Sequence, residues 1–270
     1  MLLLVDLDGV VYRGRQPVPG VAQVLRRRAA AGDDVIYVTN NSRSHRDEYR
    51  ARLAEMGLPL AGEGSIVTAA RATAVLLSEE EPPARLAMVL GGPGLSRELR
   101  DVGLRTVAPT EHGLAARPDV LVVGVDFSLT YRRLSVAAEA VRRGARFVAT
   151  NRDPNYPVPD RLNAGAGAMV AAVAVAAGRE PDLVVGKPEP RLFEAAAELR
   201  GVPVSEAVVI GDNLLTDIRA AQAVGARSVL MLTGVTSAAE AEPLTGEIRP
   251  TAIAHDAAEL AARLQELSRD

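Results

Sequence analysis

Short apolar, β-branched runs alternate with Ala/Leu/Arg-rich stretches from one end of the chain to the other, and this alternation restricts the fold more than any other feature. Strand-like runs fall at 2–6, 34–39, 86–90, 120–125, 146–150, 183–186, 207–210 and 228–232. Helix-forming stretches lie between them at 21–31, 46–56, 131–143, 190–199 and 216–224. Strands that are apolar throughout are buried on both faces, and strands alternating with helices form parallel sheets covered on both sides. The sequence therefore predicts an α/β fold with a doubly wound parallel sheet. Ligands of such folds sit beyond the carboxyl ends of the strands. Chemistry is expected there.

Two breaks interrupt the pattern. Glu79-Glu80-Glu81-Pro82-Pro83 follows a helical stretch, and Gly178-Arg179-Glu180-Pro181 precedes a strand. The residues between them carry their own strands and helices, enough for an independent α/β unit at ordinary domain sizes. The expected organisation is a discontinuous core, 1–78 and 184–270, with an inserted domain at 79–183. The alternative is one continuous sheet with a long helical edge.

Four strand ends carry polar residues with chemical potential. The first ends in Asp6-Leu7-Asp8-Gly9-Val10. Carboxylates two apart on an extended chain point the same way. Asp6 can serve as a nucleophile, and Asp8 can swing over the same centre once the strand yields to a turn at Gly9. The second ends in Val38-Thr39-Asn40-Asn41-Ser42, where a hydroxyl and consecutive amides suit an oxyanion such as phosphate. The same residues also suit a helix cap. The third is Gly186-Lys187-Pro188, holding the one lysine among 31 basic residues; lysine neutralises phosphate as a point charge. The fourth, Gly211-Asp212-Asn213-Leu214-Leu215-Thr216-Asp217, offers Asp212 to a metal. Asp217 supports the cluster or charges the first turn of a helix. Clustered carboxylates repel one another unless a cation joins them. Oxygen ligands of this kind fit magnesium best.

Composition removes other classes. The formal net charge of -3 and the lack of a basic block argue against nucleic-acid or anionic-membrane partners. With no cysteine and three scattered histidines (His45, His112, His255), thiolate chemistry and a zinc centre are not expected. No signal peptide is read at 2–5, and the longest apolar run, 169–177, is about half of the ~20 residues a membrane span needs. A cytoplasmic protein is expected.

Together the motifs resemble the haloacid dehalogenase superfamily, specifically its class IIA phosphatases, the nitrophenyl-phosphatase-like (NagD-like) group. Asp6 to Gly14 is similar to that group's first motif, Thr39 to Ser42 to the second, Gly186 to Pro188 to the third, and Gly211 to Ile218 to the fourth. The resemblance implies a Rossmann-like core with an inserted α/β cap of the C2 type. It implies that Asp6 forms an aspartyl-phosphate while Asp8 acts as general acid and then general base. Magnesium would be held by Asp6, the backbone carbonyl of Asp8 and Asp212. Thr39, the Asn40 amide and Lys187 would bind the phosphoryl group, supported by Gly9, Asn41, Asn213 and Asp217. In the cap, Asn151, Arg152, Asp153 and Tyr156 match the segment that selects substrate. Ala164 stands where proline is usual in the glycine-rich stretch that follows.

The implied activity is magnesium-dependent hydrolysis of a small phosphorylated metabolite, with a homodimer as a possible assembly. A phosphotransferase or phosphomutase would share all four motifs. A catalytically silent scaffold or regulatory protein would show a missing carboxylate or lysine, and none is missing. The absence of G-x-x-x-x-G-K-[ST] excludes a P-loop protein.

Overall fold

The computed structural model describes residues 1–158, 161–241 and 248–269. Its contacts divide the chain into two compact units. One comprises Met1–Thr39, Asp47–Val67 and Lys187–Asp270; the other comprises Asn40–Arg46 and Thr68–Gly186.

The first unit is built on a six-stranded sheet in the order Ala252–Ala254, Arg227–Met231, Val208–Gly211, Leu2–Asp6, Asp34–Thr39, Ile66–Thr68. The pairings from Ala252–Ala254 through Asp34–Thr39 are parallel. Leu2–Asp6 is interior to the sheet, with Leu4 in register with both Val209 and Ile36. All its residues are buried, as an uninterrupted apolar run requires. A period of two sends Leu3 and Val5 to one face and Leu2 and Leu4 to the other. Leu3 and Val5 join Tyr37, Ile210, Leu25 and Leu264 in one apolar cluster, beneath the helices Val21–Ala30 and Ala257–Leu267. Asp256 starts the second of these helices by accepting the amides of Ala258 and Glu259 at 2.8 and 3.0 Å. Helix Arg191–Glu198 packs on Leu2–Asp6 and Asp34–Thr39 and buries Leu192, Phe193 and Ala196. Each large apolar side chain fully buried this way stabilises the fold by roughly 1.5–3 kcal/mol.

The second unit has its own five-stranded parallel sheet, ordered Leu183–Val184, Arg146–Ala149, Val120–Val123, Leu86–Leu90, Arg105–Val107. Its core gathers Met88, Leu121, Val123, Phe147, Val170 and Val173. An antiparallel pair, Asn155–Val158 with Arg161–Ala164, stands apart from this sheet. The apolar run 169–177 lies in helix Ala166–Ala177, which turns Met169, Val170 and Val173 into this core. Among the described residues no helix is long and apolar enough to cross a membrane.

Three details differ from the sequence expectation. The run at 183–186, assigned above to the core from 184 onward, pairs through Leu183 with Val148 and through Val184 with Ala149, and so extends the second sheet. The Asp182 carboxylate fixes that register by accepting the Phe147 amide at 2.7 Å. Helix Ala69–Glu79 packs on Pro93–Asp101 and groups with the second unit. The unit boundaries therefore fall at 67/68 and 186/187, with 40–46 also grouped in the second unit, where 78/79 and 183/184 were expected. The helix expected at 216–224 starts earlier, as a widened π turn over Leu214–Ile218 followed by Arg219–Ala223. The amides of Asp217 and Ile218 share the carbonyl of Asn213 at 2.9 and 3.3 Å. Such turns concentrate at functional sites.

Candidate active site

Sheet order alone brings three motif residues to adjacent strand ends. Asp6 closes Leu2–Asp6, Thr39 closes its neighbour Asp34–Thr39, and Asp212 follows Val208–Gly211 on the other side. Lys187, which opens the returning core segment, is 3% exposed and reaches the same place. Its ammonium donates to Asp6 Oδ1 and, at 2.6 Å, to Asp217 Oδ1. A buried ammonium between two carboxylates is held in one position.

Loops on either side fix the remaining groups. Asp212 Oδ2 accepts the Val235 amide at 2.6 Å, and its carbonyl accepts the Thr236 amide at 3.0 Å. Asp217 Oδ2 accepts the Asn213 amide at 3.2 Å. The Asn213 side chain instead caps the turn by accepting from Leu215 at 2.9 Å, so Asn213 supports the site through its backbone. Gly9 has φ +86°, in the left-handed region that glycine tolerates. A Cβ there would run into the Asp212 carboxylate and Gly234. Glycine at 9 is therefore required by backbone conformation and by space. Gly234 is packed as tightly against Asp212. The Thr233 hydroxyl donates to the Gly9 carbonyl at 2.6 Å, tying the two loops together.

The segment 233–236 was not singled out from the sequence. Its signal was present: Thr-Gly-Val-Thr follows an apolar run that proves to be the strand beside Val208–Gly211, and strand ends of a parallel sheet are where ligand groups gather.

One oxygen each from Asp6, Asp212 and Asp217 lies within 4.8 Å of the others, and all three residues are buried. Three carboxylates face one ammonium. The resulting negative excess appears in the acidities of Asp6 and Asp212. Burial raises the Asp6 carboxyl well above its usual range; Lys187 opposes this, while Asp217 and Asp212 add to it. Asp212 is pushed up to about 7, first by burial and then by Asp217, against the Val235 amide and Lys187. Burial would lower Lys187, but Asp217 and Asp6 more than offset it and hold the ammonium charged. Buried, mutually repelling oxygen ligands call for a hard divalent cation, and these residues fit magnesium. Asp217 stands inside this acidic set as well as pairing with Lys187, a closer position than the supporting one expected from sequence.

Asp8 is an exposed residue at the mouth of the turn, although its carboxyl is partly shielded from water, and it pairs through an isolated bridge with Tyr12. Desolvation raises its carboxyl, with Arg52 and Lys187 pulling the other way. A carboxyl raised in this way is suited to hold a proton and release it.

The other expected site residues belong to the second unit. Asn40 donates to both carboxylate oxygens of Asp153 at 3.0 Å, and its carbonyl accepts from Asn151 at 2.7 Å. Asn151 in turn accepts the Asp153 amide at 3.0 Å. Asn41 donates to the Tyr156 hydroxyl at 3.2 Å. Arg152 points elsewhere, to Glu180 at 2.7 Å, where both side chains are exposed. A second acidic set, His45, Glu98 and Asp101, is tied together by Arg46, which pairs with both carboxylates. It reads as an ion-pair network.

A family model described as haloacid dehalogenase-like hydrolase matches residues 3–105, and one described as HAD-hydrolase-like matches 184–260. The chain is 41% identical over 254 residues to a D-glycerol 3-phosphate phosphatase of Mycobacterium tuberculosis, covering 94% of this chain and 69% of that one. Among solved structures, a p-nitrophenyl phosphatase from Archaeoglobus fulgidus superposes with a TM-score of 0.88 at 31% identity, over 97% of this chain and 98% of that chain. A glycerol phosphate phosphatase from Mycobacterium tuberculosis in complex with magnesium gives a TM-score of 0.85 at 39% identity, over 96% of this chain and 75% of that chain.

Proposed function

Since this chain belongs to the haloacid dehalogenase-like hydrolase family and is a phosphatase, we propose that it hydrolyses a small phosphomonoester through a covalent aspartyl-phosphate on Asp6. The observation that carries the proposal is the bond of the buried Lys187 ammonium to both Asp6 and Asp217, within a set of three converging carboxylates.

Magnesium, held by Asp6, Asp212 and the Asp8 carbonyl, would neutralise charge on the phosphoryl oxygens. Lys187 supplies a fixed positive charge for the same oxygens and orients Asp6 for attack on phosphorus. The Thr39 hydroxyl and the Asn40 amide, one peptide bond further on, are proposed as phosphate donors. Asp8 protonates the departing oxygen as the phosphorus–oxygen bond breaks, then takes a proton from the water that opens the aspartyl-phosphate. Dividing one displacement into two lowers each barrier, and proton transfer at Asp8 contributes roughly 10²–10⁴-fold. Gly9, Asn41, Asn213 and Asp217 are proposed to support these groups. Asn151, Asp153 and Tyr156 are proposed to act in substrate choice, and Arg152, matched to the same segment, would do so only by leaving Glu180. The silent-scaffold alternative loses support because no chemical group is missing.

The test is phosphate release from a panel of small phosphomonoesters, including glycerol 3-phosphate and sugar phosphates, with and without magnesium. Magnesium-dependent free phosphate is expected. Phosphate transferred to an added alcohol or sugar in place of release, or inactivity throughout, would overturn the proposal.

A further inference from the structure

Asp8 is the one chemical group in this site that is exposed and lies outside a strand, so something must hold its turn. The turn closes on itself: Val11 and Tyr12 donate to the Leu7 carbonyl at 2.9 and 3.2 Å, and Gly9 donates to the Tyr12 carbonyl at 2.7 Å. The chain then forms a short hairpin, Tyr12–Arg13 with Gln16–Pro17. Tyr12, which bridges to Asp8, is 1% exposed. Its ring is covered by the Arg52 guanidinium, 3.6 Å from the ring centroid. Arg52 also donates to the carbonyl of Gly14 at the hairpin tip. Its own helix, Arg46–Glu55, is anchored by buried Tyr49 and Leu53.

We infer that Arg52 is a positioning residue for the acid–base carboxyl, clamping the Asp8–Gly14 turn by stacking on Tyr12 and bonding to Gly14. A cation over an aromatic face is attracted by the ring, and the planar guanidinium keeps donors free for the carbonyl at its edge. Arg52 touches no reacting atom; it acts through the turn.

The inference rests on Asp8 being the general acid. In the first step a bond forms between an Asp6 oxygen and phosphorus, the bond from phosphorus to the leaving oxygen breaks, and the Asp8 proton passes to that oxygen. An alkoxide needs this proton as it departs, whereas a nitrophenolate leaves as a stable anion. Misplacing Asp8 therefore penalises alkyl esters selectively. The quantity to read is kcat/KM, which reports only through this step and is blind to the later hydrolysis common to all substrates.

The experiment compares glycerol 3-phosphate with p-nitrophenyl phosphate, at saturating magnesium, for the parent and for Arg52→Gln, Arg52→Lys and Asp8→Asn. Arg52→Gln keeps a donor for Gly14 and removes the cation. It is expected to lose tenfold or more in kcat/KM on the alkyl ester while staying within about threefold on the nitrophenyl ester. Arg52→Lys, which keeps a cation over the ring, is expected to restore the alkyl ester to within about threefold of the parent. An Arg52→Gln that loses both substrates equally, or neither, while Asp8→Asn shows the leaving-group bias, overturns the clamp and leaves the acid assignment standing. An Asp8→Asn without that bias overturns the assignment and the clamp with it.

Discussion

Asp212→Asn is expected to stabilise the magnesium-free protein at alkaline pH while removing its activity. Asparagine has the shape of aspartate and retains an oxygen for the Val235 amide, so the change removes charge and little else. The size follows from the site. Asp212 is held at about 7 instead of 3.8 by burial beside Asp217. At about 1.4 kcal/mol for each tenfold, ionising it in the folded state costs roughly 4 kcal/mol. Below about pH 4 the carboxyl is protonated whether the chain is folded or not, and nothing is lost. Between about 4 and 7 the unfolded chain releases the proton while the folded one keeps it, so stability falls as pH rises. Above 7 the full penalty is present. Urea denaturation followed by far-ultraviolet circular dichroism, suited to a chain without tryptophan, would measure this at pH 5, 6, 7 and 8 in chelator. The parent is expected to lose several kcal/mol across that range, Asp212→Asn distinctly less, and saturating magnesium to flatten the parent's slope. A parent whose chelated stability is flat from pH 5 to 8, or an Asp212→Asn less stable than the parent at pH 8, would refute the reasoning.

Asp8→Asn should lower kcat on alkyl phosphates by roughly 10²–10⁴-fold with its melting temperature unchanged; near-parental turnover would be incompatible with the role given to it. Gly234→Ala drives a methyl group into the Asp212 carboxylate and should lose about 1–3 kcal/mol together with magnesium affinity, read by calorimetric titration. In the second unit, Asp126 resists the rise that burial favours because Ser128 and Arg133 hydrogen-bond it, and its carboxyl ends below the usual range. Its stabilisation is present above the unfolded carboxyl's pKa and lost as pH falls through the lower folded value. Asp126→Ala should therefore cost about 1–3 kcal/mol at pH 7 and clearly less near pH 2; equal losses at both would count against the ion pair.

The sequence exposed what depends on local pattern. Leu2–Asp6 reads as a strand buried on both faces because every residue before the aspartate is apolar, and the placing of Asp6 among the ligand-gathering strand ends follows from the sheet type. Lys187 was conspicuous because arginine fills every other basic position. What stayed hidden depends on partners distant in sequence. The run 183–186 looks like any buried strand, and nothing in Leu-Val-Val-Gly says that Val148 will be its partner. Thr233 reads as a turn residue until Gly9, 224 positions earlier, is found beside it. Asp217 fits a helix start equally well, and only the widened π turn aims it at Lys187. Arg52 is one of many arginines on exposed-looking helices, and its aromatic partner lies in a separate motif.

The interior position of Leu2–Asp6 in the six-stranded sheet has a dynamic consequence. Amides in the most enclosed strand exchange with solvent deuterium only when the whole unit opens. The backbone leading to Asp6 should therefore be among the slowest to exchange in the molecule, while amides of the Asp8–Gly14 turn exchange through small local openings. The carboxylates of Asp6 and Asp8 are thus mounted on parts of unequal stiffness: the first on a fixed anvil, the second on a short spring.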